Sequence, residues 1–266
     1  MKFGTSFGTH KLVERYPSLN EATVGATLKI SLKLLLEGKL WDQVGRQRVL
    51  TKGFEHGIEQ IDFGKDKAIV QVGANDGMHS DPLRPILAKQ NMKAVLVEPI
   101  TLAFEALSRL YENRPATYLM NNAIAAQSGH LTLYSPRIKG RELQSTLWAC
   151  KSKEQVIREI KRNVGKEALG SAEISEMQVE AQTAAQLCKD CDLDPKNIAV
   201  LVVDTEGQDA EIVGSFLDAG ASPEVIYYEQ LHVPPHDATV VKERLSGLGY
   251  SLDETHKDVL ARLVRN

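Results

Sequence analysis

Ile69-Val70-Gln71-Val72-Gly73-Ala74-Asn75-Asp76-Gly77 is the stretch on which the fold turns. Its first four residues are apolar apart from one amide, and glycine follows at once. That reads as a short buried strand ending in a turn. Gly73 and Gly77 permit positive φ and let the backbone approach a neighbour or a ligand closely. Asp81-Pro82 then offers an N-cap with proline in the first helical turn, and Leu83, Ile86 and Leu87 supply an apolar face. Strand, glycine turn and helix form the opening unit of a parallel α/β sheet.

The same grammar repeats downstream. KAVLVEP (93–99) is a second strand, and Ala103, Leu107, Leu110 and Tyr111 mark a helix. TYLMNNAIA (117–125) reads as a third strand. GHLTLYSP (129–136) alternates like a strand, and residues 137–175 form a polar, lysine-rich insertion. MQVEAQTAAQLCK (177–189) resumes as strand then helix. NIAVLVVDTEG (197–207) is the most apolar strand of the chain and suits a central place buried on both faces. Ile212, Val213, Phe216 and Leu217 face a helix closed by Gly220. EVIYYEQLH (224–232) is a further strand, and Val241, Leu245 and Leu248 mark another helix. GYSLDETHKDVLARLV (249–264) reads as a hairpin. The expectation is a doubly wound, mostly parallel, seven-stranded sheet ending in an antiparallel hairpin. This is the arrangement of class I methyltransferases, Rossmann-like in topology, whereas dehydrogenases usually lack the hairpin.

Residues 1–60 read as a helical N-terminal cap, with Ser18 and Asn20 as N-caps and Val24, Leu28, Leu32, Leu35 and Leu36 near helical spacing. Residues 61–266 hold the sheet. Such a cap can pack on the main domain, on a substrate, or on a second subunit, so a homo-oligomer stays open. A net charge of −3 over 266 residues gives no footprint of a nucleic-acid binder. No apolar run reaches the roughly 20 residues of a membrane span. The start, MKFGTSFGTHKLVERYP, lacks the apolar core of a signal peptide, so the expected location is cytoplasmic. Cys150, Cys188 and Cys191 are an odd count, and the CKDC pair has no partner ligands for zinc. They read as structural thiols.

The glycine loop is spaced G-x-x-x-G, whereas a dinucleotide site wants G-x-G-x-x-G with a helix N-terminus aimed at pyrophosphate. Asn75 and Asp76 line the turn, and a carboxylate there repels pyrophosphate but suits a sulfonium ligand carrying an ammonium group. The reading therefore moves from NAD toward S-adenosylmethionine. Glu98 falls 21 residues after Gly77, at a strand end, where an acid can accept both ribose hydroxyls. Asn121 and Asn122 are either adenine contacts or turn residues. The candidate donor-binding set is Gln71, Gly73, Asn75, Asp76, Gly77, Glu98 and Asn122.

The segments VGANDG, LVEP, NNAIA and, above all, VVDTEGQDAEIV followed by IYYEQLH resemble the FkbM family of methyltransferases over roughly residues 67–262. The resemblance implies a class I fold, S-adenosylmethionine as donor, and O-methylation of a hydroxyl on a sugar or polyketide. Gln71 departs from it, since the family more often has Asp there. The insertion at about 137–175 carries no family motif and leaves the acceptor undefined.

Asp204, Glu206 and Asp209 follow the central strand, and Glu229 and His232 follow the next, where ligands collect in open α/β sheets. Methylating an alcohol requires loss of its proton, so Asp204, Glu206 and His232 are the candidate catalytic groups. Asp209 reads better as an N-cap. A hard divalent cation can bridge such carboxylates, but the adopted reading has no metal. The stretch 151–166, KSKEQVIREIKRNVGK, reads as a basic amphipathic helix over the site, able to grip an anionic acceptor. Leu147 and Trp148 line an acceptor pocket or pack in a core. The acceptor is expected to be a small molecule or glycan. The rival readings are an NAD-dependent oxidoreductase and a non-catalytic binding protein that keeps the fold.

Overall fold

Runs of β-branched residues with no alternation make strands buried on both faces. In the computed structural model, which describes residues 39–264 other than Ser80, the two such runs become neighbours at the centre of the sheet. In chain order the elements are α1 (Lys39–Glu59), β1 (Ala68–Val72), α2 (Arg84–Leu87), β2 (Lys93–Val97), α3 (Thr101–Tyr111), β3 (Thr117–Met120), β4 (Ala123–Ile124) and β5 (Gly129–Ile138). There follow α4 (Glu142–Ser145), α5 (Lys153–Asn163), β6 (Ala172–Gln182), α6 (Ala184–Asp190), β7 (Ile198–Val203), α7 (Asp209–Asp218), β8 (Val225–Glu229), α8 (Pro235–Gly247), β9 (Tyr250–Glu254) and β10 (Asp258–Leu263). The cap residues Ser18, Asn20, Val24, Leu28, Leu32, Leu35 and Leu36 lie outside the described residues. The chain divides into two units, residues 1–49 and 50–266, and the second carries both sheets.

The main sheet has seven strands in the order β3-β2-β1-β7-β8-β10-β9. The first five are parallel, and β10 is antiparallel to both its neighbours. Val72 pairs with Val97 on one side and Val203 on the other, so β1, β2 and β7 end level. The chain leaves β1 toward β3 and returns beside β1 with β7. The crevice between β1 and β7 is therefore the switch point at which such sheets take ligands.

Each face of the sheet is covered by helices. One face packs Leu187 of α6, Phe216 of α7 and Leu245 of α8. The other packs Leu83, Leu107 and Tyr111, together with Leu50, Phe54 and Ile58 of α1. Among the described residues no helix is long and apolar enough to cross a membrane. Cys150, Cys188 and Cys191 are free and buried, and burial raises all three thiols, as structural residues require.

Three details differ from expectation. The stretch 117–125 is two strands rather than one: β3 joins the main sheet, and β4 joins a second sheet ordered β4-β6-β5. The break falls at Asn121, whose Nδ2 donates to the Glu98 carbonyl at 2.8 Å and so satisfies backbone that a strand would otherwise pair. Next, Asp81 is not a helix N-cap. The helix begins at Arg84 behind Leu83, and Asp81 Oδ1 instead accepts the Leu83 N–H in a turn. Finally, the strands flanking the insertion are longer than read. β5 and β6 pair antiparallel from Gly129↔Ala181 to Ile138↔Ala172, and the intervening helices carry their own small core around Ile138, Cys150, Val156 and Ile160. Trp148 packs against that core.

Candidate active site

The loop after β1 is built around one close approach. Gly73 has φ +83°, and a Cβ there would lie 1.8 Å from the carbonyl oxygen of Asp204. The N–H groups of Gly73 and Ala74 both reach the Val97 carbonyl, at 2.9 and 3.0 Å, and the Asp204 N–H reaches the Val72 carbonyl at 3.0 Å. Three strand ends are thus stitched into one floor. Asn75 continues the turn at φ +46°; its N–H donates to Glu98 Oε2 at 2.9 Å, and its Nδ2 reaches Thr146 Oγ1 at 3.1 Å. The Asp76 side chain is buried within the turn. It accepts the Met78 and His79 N–H groups, both at 2.9 Å, and pairs with His79 Nδ1 at 2.6 Å. Burial pushes its carboxyl up, but those hydrogen bonds and the His79 charge outweigh it and hold it below the usual range.

Glu98 is buried with both oxygens engaged, Oε1 by the Ile100 N–H at 2.8 Å and Oε2 by Asn75. Each oxygen keeps a lone pair for a hydroxyl. Burial raises its carboxyl to about 7 against the pull of those two amides, with the Asp204 and Asp76 charges adding to the rise.

A single cavity gathers Gly73, Asn75, Glu98, Asp204 and Glu206, with Thr146, Leu147 and Ala149 of the insertion as a facing wall. Gln71, Asp76, Gly77 and Asn122 stand outside its lining. Asp76 and Gly77 shape the turn, Gly77 at φ +68° against Leu107, Leu110 and Tyr111, and Asn122 keeps a buried Oδ1 without a partner among the described residues.

The acid-rich strand ends do converge. Asp204 lines the cavity, walled by protein yet accessible to solvent. The loss of surrounding water raises its carboxyl, the Lys257 ammonium opposes the rise, and Asp258 and Asp81 add to it. Glu206 adopts a left-handed backbone, φ +57°, rare for a residue with a side chain. Its carboxylate lies 3.3 Å from His232 Nε2, which also sits 3.5 Å from Glu159 Oε1 of α5. Burial lifts Glu206 to about 8, helped by the Asp204, Glu159 and Asp209 charges, while burial lowers His232. Asp209 turns back on its loop, accepting the Thr205 and Gly207 N–H groups at 3.0 Å each. Glu229 is buried, its Oε1 3.7 Å from Lys257 Nζ and its Oε2 without a hydrogen-bond partner among the described residues. Burial and its acidic neighbours push it up.

The residues that sequence reading missed come from places without a motif. Gln155 and Glu159 are a buried polar pair at i, i+4 on α5, and Gln155 Nε2 holds the Glu206 carbonyl at 3.0 Å. Their signal is two polar residues interleaved with the apolar Val156 and Ile160. Lys257 comes from the hairpin turn, which periodicity marks only as polar. His79 and Asp81 line the cavity from the glycine loop's far end. Among the described residues, four carboxylates and no Lys or Arg side chain line this cavity.

The raised carboxyls bear on stability. Glu98 and Asp209, both held at about 7 in the folded protein, lose their protons near 4 once unfolded. Well below pH 4 these two groups are protonated in both states, and their stabilisation is complete. As pH climbs through 7 it is lost, on the order of a few kcal/mol in total. The melting temperature of the ligand-free protein is expected to fall by on the order of 10 °C between pH 5 and pH 8. Scanning fluorimetry across that range checks this, and a flat or rising profile would contradict it.

The family model of the methyltransferase FkbM domain matches residues 71–265. Among solved structures, the methyltransferase FkbM from Methylobacillus flagellatus KT aligns over 76% of this chain and 45% of its own, at 10% identity and a TM-score of 0.45. An rRNA methylase from Streptococcus thermophilus aligns over 80% of this chain and 95% of its own, at 10% identity and a TM-score of 0.39. The CurJ carbon methyltransferase aligns over 100% and 72%, at 10% identity and a TM-score of 0.42. The chain spans less than half the length of the Methylobacillus flagellatus protein. None of the curated proteins compared with it matches. The domain match takes in the glycine loop, Glu98, the DTEG strand end and the C-terminal hairpin, and by it the chain belongs to the FkbM-domain methyltransferases.

Proposed function

We propose that this methyltransferase uses S-adenosylmethionine and methylates a hydroxyl of a small-molecule or glycan acceptor, a sugar or another natural product. The observation that carries the donor is the acidic lining of the cavity: among the described residues Asp81, Glu98, Asp204 and Glu206 line it and no Lys or Arg does, and a cationic ligand favours the ionised form of their raised carboxyls. A dinucleotide would bring its pyrophosphate into that field; a sulfonium with an ammonium is drawn to it. Gly73 and Asn75 give the donor a close backbone, and Glu98 keeps acceptor capacity for ribose hydroxyls. When bound, the donor supplies an electrophilic methyl group on a positively charged sulfur.

The choice of a hydroxyl rests on the Glu206–His232 pair. A neutral amine attacks through its own lone pair and needs no such base, whereas an alcohol must shed its proton as the methyl transfers. Glu206 takes that proton, and His232, neutral because burial lowers its pKa, keeps the carboxylate oriented at 3.3 Å. Leu147 and Ala149 set the apolar wall for the acceptor. One ligand atom each from Glu206, Glu229 and His232 lie within 4.8 Å of one another, close enough to hold a cation. Lys257, 3.7 Å from Glu229, already brings positive charge there, so methyl transfer is expected to survive chelation by EDTA within about twofold.

Titration calorimetry with S-adenosylhomocysteine and with NAD tests the donor. Tight binding of the first alone is the expected result, and tight binding of NAD alone would favour the oxidoreductase reading. Incubation with methyl-labelled donor and a panel of hydroxylated sugars and polyketides tests the reaction. Donor binding with no labelled product from any pool would favour a binding protein that keeps the fold.

A further inference from the structure

Glu206 holds a left-handed backbone, φ +57°, which a residue with a side chain keeps only where its surroundings fix it. Contacts of two kinds do so. Within the loop, Asp209 accepts the Thr205 and Gly207 N–H groups, and Gly207, at φ +116°, lies against His232, where a Cβ would stand 3.1 Å from the carbonyl oxygen. From the insertion, Gln155 Nε2 of α5 donates to the Glu206 carbonyl at 3.0 Å.

That amide is diverted from its local use. Ser152 is the N-cap of α5, and its Oγ accepts the Gln155 N–H at 3.2 Å. Ser-x-x-Gln is the spacing at which the glutamine side chain turns back onto the N-cap N–H. Gln155 instead crosses to a carbonyl 51 positions along the chain. One turn further on, Glu159 Oε1 lies 3.5 Å from the same His232 Nε2 that stands 3.3 Å from Glu206 Oε2. Helix α5 therefore meets this residue twice, at its backbone directly and at its carboxylate through the imidazole. The insertion is tied to the glycine loop as well, by Asn75 and Thr146.

Resting on the general-base role given to Glu206 above, we propose that Gln155 is the positioning residue of that base. Its amide holds the left-handed turn that keeps the Glu206 carboxylate at the cavity. Gln155 is itself buried and outside the cavity lining, so it acts through Glu206. Without Nε2 the carbonyl loses a buried donor, and the turn is free to relax. The insertion thereby completes the base as well as walling the acceptor.

The test replaces Gln155 by methionine, which keeps length and bulk and removes the N–H. No charge is altered. The acids facing Glu206 are Asp204, Asp209, Glu159 and Glu229, with Lys257 and His232 against them. Cys150, and Arg158 and Arg162 around His232, are untouched too. A change in the titration of Glu206 thus reports where its carboxyl sits. It is followed by 13C NMR of glutamate labelled at the side-chain carboxyl, the signal being assigned by its loss in Glu206→Gln. The midpoint is expected at about 8 in the wild type. In Gln155→Met it should be lower by about one pH unit or more, because a released loop returns the group to water. With labelled S-adenosylmethionine and a sugar or polyketide from the panel above, kcat should fall about tenfold, with S-adenosylhomocysteine affinity within about twofold. Added to Glu206→Gln, the same change should cost less than about twofold. Ser152→Ala weakens the same helix end but spares the Gln155 amide, and should leave the midpoint in place and kcat within about twofold. An unmoved midpoint in Gln155→Met, donor binding lost along with the rate, or an equal effect from Ser152→Ala overturns the proposal. A wild-type Glu206 that titrates at about 4 overturns the general-base reading itself, which is a separate result.

Discussion

Gly73→Ala is expected to cost the protein about 3–5 kcal/mol and to abolish ligand binding at the strand ends. Backbone strain and a steric clash add together here. A non-glycine residue held at positive φ costs about 1–2 kcal/mol, and Gly73 sits at +83°. The clash is the greater of the two: the new methyl would lie 1.8 Å from the Asp204 carbonyl oxygen and 2.8 Å from its carbon. Those are backbone atoms, pinned by the Asp204 N–H on Val72 and by the Gly73 N–H on Val97, so the clash cannot relax by a side-chain rotation. Relief requires β1 and β7 to part at the floor of the cavity. The other turn glycines calibrate the effect. Gly64→Ala, at φ +53° with nothing within 4 Å, should suffer the backbone strain alone, about 1 kcal/mol. Gly77→Ala meets the side-chain tips of Leu107, Leu110 and Tyr111 at 2.8–2.9 Å, which can shift, and should fall between. Urea unfolding of the three variants gives the ranking directly. A Gly73→Ala protein as stable as Gly64→Ala would show that the strand ends are far looser than described.

That ranking separates two meanings of a glycine motif. From sequence, Gly73 and Gly77 read as a cradle for a ligand, since both strand and turn chemistry ask for glycine there. In three dimensions Gly73 admits the neighbouring strand's backbone and Gly77 admits helix α3. The strands are legible because burial on both faces leaves an unbroken apolar run, as in IAVLVV. The hairpin is legible because its alternation resumes after a polar turn. The second sheet is not, because β3 and β4 are separated by only two asparagines and no periodicity marks a change of sheet. A side-chain hydrogen bond from Asn121 to the Glu98 carbonyl makes that break, and such a contact between residues 23 apart leaves no local trace.

The site divides in the same way. Gly73, Asn75, Glu98, Asp204 and Glu206 can be named from their places at strand ends, because the topology of a doubly wound sheet brings those ends together. Residues that come from side elements, to line the cavity as Thr146 does or to stand against His232 and Glu229 as Glu159 and Lys257 do, cannot. Thr146 and Glu159 belong to an insertion without a motif, and Lys257 to a turn. Asp81 is visible in the sequence but under a different role. An acid before proline at the start of an apolar helical face is an ordinary N-cap signal, whereas in the fold Asp81 Oδ1 accepts from Gln71 Nε2 and the Leu83 N–H, and the residue lines the cavity.

Glu206→Gln is expected to reduce methyl transfer by about 10²–10⁴-fold, the usual worth of a positioned general base, with S-adenosylhomocysteine affinity within about threefold. The amide keeps the shape of the side chain and its proximity to His232 but cannot accept a proton. The pH profile makes the assignment specific. Glu206 carries a pKa of about 8, and its basic form is the active one, so kcat/KM should climb with pH and level off above about 8. Burial places His232 below its ordinary value, so it is already neutral across that climb and adds no limb of its own there. In Glu206→Gln the limb near pH 8 should vanish along with the rate. His232→Ala leaves the carboxylate chemically intact but unanchored, and is expected to lower kcat while retaining a limb. Because the pair acts as a unit, the double variant should be little worse than Glu206→Gln alone. Glu206→Gln with an unchanged rate and an unchanged limb would move the proton transfer to another group, and Asp204, lining the same cavity, would be the residue to replace next.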